Sequence, residues 1–543
     1  MQNPLASGAV TRVNRVTSVR LSPAGRLDGM ANKLRLFCFL SARGRGEIGR
    51  RRRLKIAFPW SAGSSPAVRT TFLALALAAC DRVPDSGPVL VSVIGTRPAL
   101  GDPSRVPLGA PSRLLTDAVA QGLVRFDAAG QIEPGLAERW TVIDDGASYI
   151  FRLREARWAD GSPVTAEQVV ARFVRQIAPA SRNPLKPFLS AIDEIVVMTP
   201  QVIEVRLSRP RPDLLKLFAQ PELAIMRPGR AGGTGPFQPV IGDAGLLLRP
   251  VADPASVGSE DDETPASARG VRLTGERAAL AVARFAAGRA DLVAGGSFVD
   301  WPLLQAAGIV PTTVRTDPAV GLFGLSIVSR DGFLADAANR AAVAQAIDRP
   351  AVTSSIAPTW AADERLLPDR LDSAGPPAAP DWATLPFDQR QASARARVAA
   401  FGAPVRLRIA LPVGPGATRL WGQLARSLFA VGITPERVGP DAAAELRLLD
   451  AVAPYDSARW YLAAACQPCG ADAQAKVEAA REAPTLTDRA ARIAEADAAL
   501  VADVPFIPIA RPWRWSLVSP RLRAWQPNVR AWHPLNRLRP DPT

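Results

Sequence analysis

The sequence predicts an α/β chain divided into lobes, on three observations. At 543 residues it exceeds one ordinary domain, so two or three lobes are expected. Hydrophobic residues at 48% and charged residues at 22% describe a body that buries a core. Segments with strand-like alternation and segments with helical signals follow one another along that body. The 51 prolines and 40 glycines break it into many short elements.

Charge narrows the function. The formal net charge is +15, but thirteen Lys/Arg and only two acids, Asp28 and Glu47, precede Val68. The body after Cys80 is therefore near neutral, without a dominant basic field for a phosphate backbone, and no nucleic acid is expected as a partner. The single histidine, His533, leaves His-dependent triads and metal sites almost no material. With no nucleophile-elbow motif either, an exported hydrolase is disfavoured. Cys466-Gln-Pro-Cys469 has the spacing of a redox pair or half a zinc site. Zinc needs about four ligands, and distant His533 does not complete the set; a redox pair needs a thioredoxin-like context that the sequence does not offer. A local disulfide between Cys466 and Cys469 is the preferred reading, with no metal and no cofactor.

Residues 1–67 are Arg-rich without a coherent apolar period and read as a mis-assigned start or a non-structural leader. The best apolar run, Phe72-Leu-Ala-Leu-Ala-Leu-Ala-Ala79, is shorter than the ~20 residues of a spanning helix. Behind Arg69 it makes residues 68–79 a secretory signal segment, with initiation expected at Val68 or, as the second choice, Met30. The exit Leu77-Ala-Ala-Cys80 resembles the bacterial lipobox, in which the Cys thiol is lipidated and becomes the new N-terminus. The other reading is a buried Ala/Leu helix with an incidental Cys. Residues 80–88 read as a linker.

Along the body, Val89-Leu-Val-Ser-Val-Ile-Gly95 is a β-branched strand, followed by a loop over Thr96–Pro103. Leu114–Gln121 reads as a helix, and Leu123–Phe126 as a strand entering the turn Asp127–Gly130. Ile132–Trp140 is expected to form a short helical turn. Trp140–Ile143 and Ser148–Leu153 form a hairpin across Asp144–Ala147. Thr165, a hydroxyl N-cap with Glu167 in the first turn behind it, starts a helix. The acidic stretch Asp253–Pro265 and the Pro-rich stretch Ser373–Asp381 are expected to be exposed, mobile loops.

Four of these pieces, in order and correctly spaced, carry a resemblance: Gln121-Gly-Leu-Val-Arg-Phe-Asp127, Pro134-Gly-Leu-Ala-Glu-Arg-Trp140, Asp144–Leu153 and Trp158-Ala-Asp-Gly-Ser-Pro-Val-Thr-Ala-Glu-Gln-Val-Val170. Together they resemble the bacterial extracellular solute-binding proteins, family 5, the peptide/nickel/opine-binding components of ABC importers. Gly232-Gly-Thr-Gly-Pro-Phe237, Phe285–Val293, Asn339–Arg349 and Ala498–Ile509 extend it over nearly all of Val89–Leu538. The chain departs from the family pattern in Leu322-Phe-Gly-Leu-Ser-Ile327, which lacks the usual Asn, and in Asp456-Ser457, where an acid-Pro pair is usual.

The resemblance implies a two-lobed periplasmic-binding-protein fold of type II with a hinge and an interlobe cleft. Lobe one is placed at 89–317 plus 504–543, and lobe two at 319–502. It also implies a ligand, a peptide or similar small solute, held in the cleft; a permease and an ATPase as partners; no catalysis; and a monomer held to the membrane through lipidated Cys80. Thr96 and Arg97, at the end of the first strand, are candidates for a ligand carboxylate, or Arg97 is simply solvated. Gly233, Thr234, Gly235 and Phe237 form a loop that either donates backbone N–H groups to a ligand or is a structural turn. Asp450, Asp456 and Trp460 are candidates for a ligand amine and an apolar side chain, or else are a loop acid and a core indole. A sensor or chaperone lipoprotein that has lost transport is the alternative function.

Overall fold

Val89-Leu-Val-Ser-Val-Ile94 alternates β-branched residues, and with most of its side chains buried it can only be a central strand. It is β1 of a computed structural model that describes residues 87–227, 232–242, 245–251, 270–369 and 371–539. Cys80, the segments 1–67 and 68–79 and the stretch Asp253–Pro265 lie outside the described residues.

Along the chain come α1 (Ala110–Val119), β2 (Val124–Phe126), β3 (Ile132–Pro134), β4 (Ala137–Ile143), β5 (Ser148–Leu153), α2 (Ala166–Ile177), β6 (Ile192–Thr199) and β7 (Val202–Leu207). Then follow β8 (Phe237–Gly242), β9 (Gly245–Pro250), β10 (Val271–Glu276), α3 (Ala278–Ala286), β11 (Leu292–Ser297) and β12 (Val314–Asp317). The next stretch holds β13 (Gly321–Ile327), α4 (Ala337–Ala346), β14 (Val405–Ala410), α5 (Pro415–Phe429), β15 (Ile433–Val438) and β16 (Leu446–Val452). Last are α6 (Ala458–Ala465), α7 (Ala471–Glu482), α8 (Leu486–Asp503), β17 (Phe506–Ala510) and β18 (Arg514–Val518).

Two α/β sheets define the lobes. The first has seven strands in the order β12-β18-β11-β1-β10-β9-β8, with β1 parallel to β10 and β11. The second has five, β15-β14-β16-β13-β17, with β13 antiparallel to both neighbours. An antiparallel sheet, β4-β5-β7-β6, is inserted in the first lobe. The chain passes between the main sheets twice, at 318–320 and at 511–513. β17 pairs with β13, so residues 504–510 belong to the second lobe's sheet. The return to lobe one therefore comes about seven residues later than the expected boundary at 504. Arg511 pins this crossing: its guanidinium donates to Asp363 Oδ2 (2.9 Å) and to the carbonyls of Gly321, Leu366, Arg365 and Leu367 (3.0–3.1 Å).

Local signals were read as built. Thr165 caps α2 in a full capping box with Gln168, and β4 and β5 pair across Asp144–Ala147. Ile132–Trp140 is not a helical turn. Its backbone pairs with distant segments instead: Val124 faces Pro134, Leu136 and Ala137 donate to Gly122 and Leu123, and β4 joins β5. A Cβ on Gly135 would lie 2.6 Å from the Gly122 carbonyl, so this close strand contact requires glycine. In the Pro-rich stretch Ser373–Asp381 five of the nine residues are half-buried and four exposed, and the stretch is tied to α8 where Ala374 N–H donates to Ala490 O and Ala378 N–H to Asp497.

One apolar core joins the inserted sheet to the late helices. Tyr149, Phe151, Phe173 and Phe218 on one side share a continuous buried cluster with Tyr461, Leu462, Ile493 and Leu500 on the other. The five-stranded sheet buries a separate cluster against α4 and α5.

Candidate binding site between the lobes

Strand β16 ends at Val452, and the loop that follows, 453–457, leaves the second sheet toward the first lobe. The loop is set against the crossing by Ala453 N–H donating to Val320 O (2.9 Å). First-lobe side chains then take up its polar groups. Gln220 Nε2 donates to Pro454 O (2.6 Å) and Arg530 Nη1 to Ala453 O (3.2 Å). Asp456 is ion-paired with both Lys216 and Arg530. Two residues before β16 ends, Asp450 accepts from Arg514 Nη1 at both carboxylate oxygens (2.8 and 3.0 Å). Arg514 opens β18, in the first sheet, so this pair also spans the lobes. Beside the loop, Tyr455 packs on Phe188 with ring centroids 5.7 Å apart, and Arg459 Nη2 donates to Pro187 O (2.6 Å).

The electrostatics differ between the acids. Burial pushes the Asp450 carboxyl above its ordinary range, and Arg514 offsets only part of this. Burial also raises Asp456, but Arg530 and Lys216 together outweigh it and hold the carboxyl below the usual range. A second relay reaches the same loop from α1. Arg113 pairs with Glu222 (2.7 Å), donates to Gln220 Oε1 (3.1 Å) and lies 5.0 Å from the centroid of the Trp532 ring.

The other candidates are placed differently. Thr96 and Arg97 are exposed at the end of β1, as strand position alone indicated. Two N–H groups of the glycine loop are engaged within the lobe: Gly233 N–H and Gly235 N–H both donate to Val119 O (2.8 and 3.1 Å), and Gln121 Nε2 donates to Thr234 O (2.7 Å). A Cβ on Gly235 would overlap the backbone of Val119 and Ala120. Phe237 begins β8 and is 4% exposed in the first lobe's core, and Trp460 is 7% exposed in the shared core, edge-on to Tyr461. Cys466 and Cys469 are disulfide-bonded, with Cα atoms 4.7 Å apart, at the turn between α6 and α7.

Sequence reasoning missed the cations, Lys216, Arg514 and Arg530, and the Arg113–Gln220 relay. Arg514 and Arg530 lie in an arginine-dense returning C-terminal segment, whereas Lys216, Arg113 and Gln220 carry no sequence signal of their own. Which acid each one meets is decided by the fold, across 64 to 240 residues of chain.

The architecture is that of a two-lobed binding protein, and comparison with known proteins agrees. Residues 131–433 match the model of the bacterial extracellular solute-binding proteins, family 5 (middle). The chain belongs to that family, whose members are binding proteins and not enzymes. The chain is similar to the periplasmic murein peptide-binding protein MppA of Escherichia coli, with 25% identity over 297 residues, 49% of this chain and 54% of that one. It is also similar to the probable deoxycholate-binding periplasmic protein YgiS of the same organism, 37% identical over 94 residues, 17% of each chain. The matched stretches thus span about half or less of these relatives. Among solved structures, Haemophilus influenzae OppA in complex with the peptide RPPGFSPFR superposes with a TM-score of 0.68 at 16% identity, over 83% of this chain and 98% of that one.

Proposed function

We propose that this chain is the substrate-binding lipoprotein of an ABC importer, taking a peptide or similar small solute between its lobes and presenting it to a permease driven by an ATPase. The observation that carries this reading is the junction itself. Two lobes joined by adjacent crossings meet where Asp450, near the end of β16, and Asp456, on the loop that follows, stand opposite cationic side chains of the other lobe. Closure about such crossings is favoured by a ligand only as far as the ligand touches both lobes better when they are shut. The relatives' names place them in the periplasm, and the lipobox at Cys80 supplies the anchor. Lobes at 89–317 plus about 511–543, and 319–510, follow the sheets. A monomer suffices for this cycle.

A second reading, a ligand without a free amine, is favoured by one feature: both acids are already neutralised by the chain's own cations.

Isothermal titration against free-amine peptides, their N-acetylated forms and non-peptide solutes tests the function. Saturable heat with at least one class is expected, with a matching rise in melting temperature. Silence across all three classes removes the importer reading. Mass spectrometry of the mature N-terminus checks the anchor, and an unmodified Cys80 removes it.

A further inference from the structure

The charges at the junction are matched by the chain's own side chains. Asp456 has two cationic partners from the first lobe and Asp450 has one. Arg530 is 3% exposed and gives one guanidinium nitrogen to Asp456 and the other to Ala453 O, so both groups it meets lie on the same second-lobe loop. Elsewhere between the lobes, Arg211 Nη2 donates to Arg481 O (2.5 Å), Arg209 pairs with Glu482, and Arg489, paired with Asp372 of its own lobe, stands 3.7 Å from Asp213 of the first. Behind these lies the apolar cluster that runs unbroken from the inserted sheet into α6–α8. Opening the lobes would therefore expose Phe188 and Tyr455 and strip several partly buried charges of their partners, which is costly when the charge stays buried.

We propose that Lys216, Arg514 and Arg530 are specificity-determining residues that stand in for the cationic group of a ligand. By occupying Asp456 and Asp450 they hold the lobes together in the empty protein and set a threshold that an incoming ammonium must exceed. A ligand amine gains nothing from these acids until it displaces a tethered cation. A ligand that leaves the pairs intact meets no such competition. The inference rests on the junction being the ligand cleft, but its test needs no ligand.

The test is double electron–electron resonance on the ligand-free full chain, with Cys38 and Cys80 replaced by Ser. Spin labels are placed at Met198→Cys on the exposed inserted sheet and at Phe429→Cys on the exposed end of α5, 54% and 58% exposed respectively. The expected result is one narrow distance population. In Lys216→Met/Arg530→Met a second population, a third or more of the molecules, is expected. Where that variant does not fold, Asp456→Asn, which keeps the shape and removes the charge, is expected to broaden the distribution in the same direction. A ligand-free parent that already populates two distances, or an Asp456→Asn protein identical to its parent, overturns the proposal. The failure of the function reading is separate: a narrow ligand-free distance with no heat from any solute removes the importer and leaves the latch. A wide distance that narrows on adding a peptide does the reverse.

Discussion

The glycine loop Gly232–Phe237 and the acid-bearing stretch Asp450–Asp456, which runs from the end of β16 into its loop, are both candidates for ligand contact in the sequence. The structure satisfies them in opposite ways. Gly233 and Gly235 spend their N–H groups on Val119, in their own lobe, and both must be glycine because backbone occupies the space where a Cβ would stand. The acid loop is satisfied across the crossing, by cations belonging to another lobe. A loop bonded within its lobe keeps those bonds however the lobes sit, whereas one paired across the lobes depends on how they sit, and can respond to a ligand.

The sharpest way to break this comparison is Gly235→Ala. The new methyl would meet the main chain of Val119 and Ala120, which cannot move as the end of a side chain can. A loss of more than about 3 kcal/mol in guanidinium unfolding is expected. A variant within about 1 kcal/mol of the parent would show that the loop has slack, and would return it to the list of ligand-facing elements.

Arg530→Met tests the other loop, with a smaller effect, about 2 kcal/mol, since Lys216 remains on Asp456 and that carboxylate is 38% exposed. The pH dependence carries the diagnosis. Asp456 is held below its ordinary value of 3.8, so its pairing stabilises the fold above that value and the contribution is lost as pH falls through the lowered one. The gap between parent and variant is therefore full at pH 7 and closes in acid below pH 3.8. A gap that is constant with pH would mean that Arg530 acts through packing alone.

What could be read in advance divides along the same line. The N-cap at Thr165 and the β4–β5 hairpin rest on residues close in sequence, and both were legible, though the reciprocal bond from Gln168 that completes the capping box was not. Ile132–Trp140 was misread because its strand state comes from pairing with residues 122–126 and 148–153, which override local preference. Asp450 and Asp456 were picked out as exceptional, but their partners were not, since Lys216 lies 240 residues from Asp456. The sheet to which β17 belongs was not legible for the same reason: only the pairing with β13 assigns it.

A third loop sharpens the contrast with a pinned site inside one lobe. Asp497, 2% exposed, accepts from Ala378 N–H with one oxygen and leaves the other unpartnered. Burial raises its carboxyl to about 6. With the folded value above the ordinary 3.8, this group favours folding fully below 3.8 and loses that contribution as pH rises through 6. Asp497→Asn should therefore match the parent near pH 4 and exceed it by about 1–2 kcal/mol at pH 8. Thermal melts at the two values read this directly, and a variant weaker at both would show that the carboxylate is needed as an anion.

The smallest effect belongs to a pair with the same chemistry as Lys216–Asp456 but no second lobe. Lys476 and Asp472 lie four residues apart on α7, 2.8 Å from each other and 41% and 77% exposed. Solvent screens such a pair, and ordering two long side chains offsets most of its Coulomb gain, so Lys476→Ala should change stability by less than about 0.5 kcal/mol. Lys216→Met should cost more, about 1 kcal/mol, because Asp456 is partly withdrawn from water by the docked loop. If the two substitutions proved equal and both negligible, the cross-lobe pairs would be ordinary surface pairs. The weight of lobe contact would then fall on the apolar cluster around Phe188 and Tyr455, a surface that salt does not weaken, and raising the ionic strength would separate the two cases.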